Sequence, residues 1–87
     1  MSAGAACAIA DDFLANEVGN LLMVAEPRLA DDGRWVMSVV LGNAVSGLLG
    51  KVGTIAVNAQ SGAVLFDDKC RARIKANARA LSRATTP

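Results

Sequence analysis

Six of the eight carboxylates in this 87-residue chain stand as neighbouring pairs: Asp11–Asp12, Asp31–Asp32 and Asp67–Asp68. Such pairs are the residues that could hold Mg²⁺ or Ca²⁺. Those ions, however, need a shell of converging oxygens, which side chains adjacent in sequence do not supply alone. The local reading assigns the pairs to two helix N-termini and one turn, where an Asp oxygen accepts backbone N–H groups. No metal site is expected.

The chain has no histidine and no tyrosine. Ser–His and Cys–His nucleophilic pairs and His-containing zinc sites are therefore excluded. Carboxylates and lysines remain as acid–base groups, and no convergent set of them is visible. The sequence predicts no enzyme and no cofactor. Cys7 and Cys70 lie far apart and form no CxxC pair. They read as free thiols of a reducing cytosol, or as one bridge between two helices. The stretch "VSGLLGKV" (45–52) approaches a phosphate-binding P-loop, but Val45 stands where Gly is needed and Val52 where Ser or Thr is needed.

The net charge is +1, yet six acids precede residue 33 and six bases follow residue 68. Arg71, Arg73, Lys75, Arg79 and Arg83 sit in one helical stretch and are the candidate nucleic-acid contacts. No aromatic residues interleave with them for base stacking, so a solvated helix face is the simpler reading. No run of 18 apolar residues is present, so no membrane helix is expected. Residues 1–13 lack the basic start and the apolar length of an export leader, which makes a cytoplasmic location the expectation.

The elements that must position these groups follow from periodicity. Ile9, Phe13, Val18, Leu21, Leu22 and Ala25 recur at helical spacing and predict a helix over 8–25, closed by Pro27. Residues 26–33 read as a turn-rich link. "RWVMSVVLG" (34–42) reads as a strand with Trp35, Met37, Val39 and Leu41 on one face and Val36, Ser38 and Val40 on the other. Both faces are largely apolar, so both should be covered. Residues 43–51 read as a loop, unusual for its aliphatic Val45, Leu48 and Leu49. "VGTIAVNA" (52–59) is a second strand, Gly62 serves a reversal, and "AVLF" (63–66) is a third. A helix over 68–83 is capped by Asp67 or Asp68 and carries an apolar stripe of Cys70, Ile74, Ala78 and Leu81.

The expectation is one small α+β domain spanning 1–87, a three-stranded antiparallel sheet with an N-terminal and a C-terminal helix (α-β-β-β-α). Two helices cover one face of such a sheet well, which predicts a homodimer or a partner protein on the other. Trp35, Val45, Leu48, Leu49 and Val57 are the expected interface residues, although Trp35 also suits a core plug. A small-molecule pocket between sheet and helices is a further alternative.

Residues 34–66 resemble the PepSY-like pattern, and small bacterial proteins that share its strand–turn–strand core. The matching positions are Trp35, Val39, Gly53, Val57, Asn58, Ala59, Ser61, Gly62 and Val64. PepSY-like proteins are usually regulatory or inhibitory modules, many acting on peptidases outside the cytoplasm, so the resemblance implies binding without catalysis. Asn58 takes the place of the usual turn Asp here and no export signal is visible. The implied role is that of a cytosolic relative that keeps the fold and binds another protein.

Overall fold

The structure is a computed structural model. It describes the backbone of residues 1–19, 21–43 and 47–85, and their side chains except at 43, 47–49 and 82–85. The element order is α1 (Ala3–Glu17), β1 (Leu22–Leu29), β2 (Arg34–Asn43), β3 (Gly47–Asn58), β4 (Val64–Leu65) and α2 (Asp68–Thr85). The strands form one antiparallel sheet in the order β1-β2-β3-β4. The class is α+β with a helix at each end, as the sequence predicts, but the sheet has four strands rather than three.

The additional strand comes from the C-terminal half of the expected 8–25 helix. Helix α1 starts earlier, where the Ser2 hydroxyl accepts the Ala5 N–H at 3.1 Å, and an alanine-rich run propagates it at little entropic cost. It stops at Val18 and Gly19, whose N–H groups both donate to Leu14 O at 3.0 and 2.7 Å. The chain then enters β1, an edge strand whose partner is β2. Pro27 does not close a helix. It lies in β1, where the register slips between Ala25 and Arg28 and Glu26 adopts φ +54°. An edge bulge tolerates both a missing N–H and that left-handed backbone.

The link expected over 26–33 shrinks to the turn around Gly33, at φ +83°, with the Ala30 N–H donating to Arg34 O at 2.7 Å. The loop expected over 43–51 also contracts, because β3 already begins at Gly47. After β3, Asn58 Oδ1 accepts the N–H groups of Gln60 and Ser61 at 2.8 and 3.0 Å. Gly62 completes the reversal at φ +75°.

Both helices pack on the same face of the sheet. Ala6, Ala10 and Leu14 of α1 and Ile74 of α2 share one buried cluster with Met37, Val39 and Leu41 of β2 and Val52, Ile55 and Val57 of β3. The i, i+4 spacing of Ala6, Ala10 and Leu14 puts them on one stripe, and the two alanines let α1 sit close to the strands. Cys70, Ala78 and Leu81 of the predicted α2 stripe are half-buried beside Ile74. Phe13 of α1 meets Phe66 edge to face, with ring centroids 5.2 Å apart.

A bulge tunes the fit of β3 to α2. The pairing steps from Val39↔Gly53 to Val40↔Lys51, leaving Val52 unopposed. Gly53 and Val52 therefore both face the helix layer. Val52 is buried, and a Cβ on Gly53 would lie 2.7 Å from Ile74 Cγ1. Asn77 Nδ2 donates to the Val52 carbonyl at 2.8 Å, satisfying the acceptor that the bulge displaces.

Candidate functional site

One member of each aspartate pair is engaged by a backbone N–H or an ion pair. Asp67 Oδ1 accepts the Cys70 N–H at 2.8 Å and caps α2, which holds its carboxyl below the ordinary 3.8. Asp32 pairs with Arg34 at 2.7 Å, and that bond lowers its pKa as well. Asp11 does not stand at a helix N-terminus as expected. It lies in the second half of α1 and reaches across to β1, where Oδ1 accepts the Val24 N–H at 3.0 Å. Among the described residues no three Cys, Asp or Glu side chains gather as a metal-binding group. Cys7 and Cys70 are free thiols, and burial, then the Asp11 charge, push the Cys7 thiol up.

The expected interface residues divide. Val57 is 0% exposed and lies in the core beneath the helices, so it cannot meet a partner. Trp35 is half-buried against the same core and donates from Nε1 to Met1 O at 3.3 Å, so it plugs the helix layer. Val45 lies outside the described residues, as do the side chains of Leu48 and Leu49, whose backbone belongs to β3. The alternation that sends Trp35, Met37 and Val39 toward the helices sends Val36, Ser38 and Val40 to the opposite face.

Among the described residues no helix lies on that opposite face. The strand registers arrange it in three rows: Arg28, Val36, Ala56 and Leu65; Ala25, Ser38 and Thr54; Met23, Val40 and Lys51. Met23 and Leu65 are each 43% exposed at its two margins, and Val36, Val40 and Ala25 lie half-buried between them. A solvated antiparallel face ordinarily carries polar residues. Here the first and third rows are largely apolar. A notch of about 160 Å³ at the centre is lined by Glu26, Arg28, Ser38, Lys51 and Thr54, so the face also carries charges of both signs.

The margins of the sheet are unequal. On β1 the Val24 N–H is taken by Asp11, Pro27 has no N–H, and Glu26 kinks the strand. Each device opposes strand addition. At the other margin β4 pairs only with Ala56 and Val57 of the 12-residue β3.

The basic residues of α2 are divided among different surroundings. Lys75 and Arg79 line a cleft between α1, β1 and α2. Arg73 lines a smaller pocket with Lys51, Thr54 and Cys70. Arg71 is half-buried and its Nε is shut away from water with no hydrogen-bond partner, so that atom is not offered to a phosphate. The Arg83 side chain lies outside the described residues. Among the described residues no helix is long and apolar enough to cross a membrane. No protein-family model, curated protein or solved structure matches this chain.

Proposed function

We propose that this chain is a non-enzymatic protein-interaction module that pairs with a second copy of itself through the open sheet face and so regulates a partner protein. The observation that carries the reading is the one-sided helix layer. It leaves Met23, Val36, Val40 and Leu65 on a face that no helix covers among the described residues. Removing apolar surface from water stabilises a contact by about 25 cal/mol per Å². A stable interface takes about 800 Å² from each partner, the scale of one small sheet face. Glu26, Arg28 and Lys51 on the same face suit a two-fold contact, in which each sign on one copy meets the other sign on its mate. The PepSY-like resemblance of residues 34–66 supports binding without catalysis, and two free thiols fit a cytoplasmic setting.

Sedimentation velocity across the micromolar range tests the reading. The parent chain should sediment as a dimer. The double variant Val36→Lys/Val40→Lys should sediment as a folded monomer, because two lysines in the centre of the face would be desolvated without partners. A parent chain that stays monomeric throughout would overturn the self-pairing.

A further inference from the structure

The helix side of the sheet holds a second feature, independent of the open face. Where α1 ends and β1 begins, an open cleft of about 380 Å³ lies between this corner and α2. Its lining includes Leu22, Leu41, Ile74 and Ala78, and among the described residues the charged groups lining it are Lys75 and Arg79. Ile74 and Leu41 are buried, whereas Lys75 and Arg79 are exposed. The cleft is therefore apolar at depth and cationic at its mouth. Its volume lies within the range of about 300–1,000 Å³ typical of small-molecule sites.

We infer that this cleft binds a single-chain amphipathic carboxylate, a fatty acid anion of medium length. The tail lies along Leu22, Leu41, Ile74 and Ala78. The headgroup sits between Lys75 and Arg79, which are one helical turn apart on α2 and present neighbouring side chains about 5–6 Å apart at Cβ. Two geometric facts select this class. An inorganic anion would leave the apolar lining wet, and a neutral hydrocarbon would make no use of the two water-exposed cations at the mouth. Among the described residues neither Lys75 nor Arg79 forms an ion pair, and no acidic residue lines the cleft to compete for them.

Isothermal titration of the full chain with decanoate, kept below its micelle concentration, tests the assignment. Two further probes separate tail from head: decyltrimethylammonium has the same tail and the opposite charge, and butyrate has the same head on a short tail. Decanoate should bind, and each control should bind at least about tenfold more weakly, the scale of one charge-assisted contact or a few buried methylenes. Lys75→Gln/Arg79→Gln should weaken decanoate by about tenfold or more with an unchanged melting temperature, because both side chains are exposed. Ala78→Phe should block the cleft and abolish binding. The glutamine variant does not depend on the tolerance of the packed Ala78 site. No heat of binding with decanoate would overturn the assignment. Equal binding of the cationic amphiphile would also overturn it, as would undiminished binding by the glutamine variant.

Discussion

At the scale of single residues, close approach decides more than charge. Gly53 sits under Ile74 with no room for a methyl group, since a Cβ would lie 2.7 Å from Cγ1 of that side chain. Gly53→Ala should destabilise the fold by about 1–3 kcal/mol, the usual cost of overpacking, read as a lower urea midpoint at constant slope. Adding Ile74→Ala removes both Cγ1 and Cδ1, the atoms the new Cβ would meet at 2.7 and 3.3 Å, so the double variant should lose less than the sum of the two single changes. Gly53 is legible in the sequence only as a glycine near a strand start. Its role depends on the bulge at Val52, and periodicity gives no sign of which residue a bulge will turn. The same limit displaced the candidate interface. The alternation of 34–42 is plain in the sequence, but nothing in it says which face the helices will take. Trp35 and Val57 turned out to lie on the covered side and Val36 and Val40 on the open one.

Among the elements, those closed by strong local chemistry were the readable ones. Helix α2 begins where Asp67 can accept an N–H, and the reversal after β3 uses Asn58 as acceptor and Gly62 at positive φ. The boundary between α1 and β1 was not readable. Leu21, Leu22 and Ala25 happen to continue the helical spacing of Ile9, Phe13 and Val18, and Pro27 mimics a helix stop. The signal that could have found the break is Gly19, followed by the consecutive apolar residues of "LLMV", which suit a strand. The α2 cap carries a pH prediction. Asp67 titrates below its ordinary 3.8 in the folded chain, chiefly because it accepts the Cys70 N–H. The stabilisation from that bond is present above 3.8 and is lost as the pH falls through the folded value. Thermal midpoints should therefore drop on acidification through this window. Asp67→Ala should have a lower midpoint at neutral pH and a shallower acid slope, measured by circular dichroism.

For the molecule as a whole, a thin layer of helices sets the behaviour. A chain of 87 residues buries only about 60–65% of the surface its unfolded form exposes. The sequence anticipated that two helices would leave one face of the sheet bare, and the structure places both on one side. A protein whose folded state is completed by its own mate is stabilised by mass action. On the proposed self-pairing, the melting temperature of the parent chain should rise with protein concentration, whereas that of Val36→Lys/Val40→Lys should not. Differential scanning calorimetry at two widely separated concentrations measures both.

The unequal rims of the sheet have a consequence for crowded or heat-stressed solutions. The side occupied by β1 offers an incoming chain a consumed donor, a proline and a kink, while β3 extends well past its short neighbour β4. Strand addition along β1 is thus opposed at three points, and removal of the Asp11 carboxylate would release one of them, the Val24 N–H.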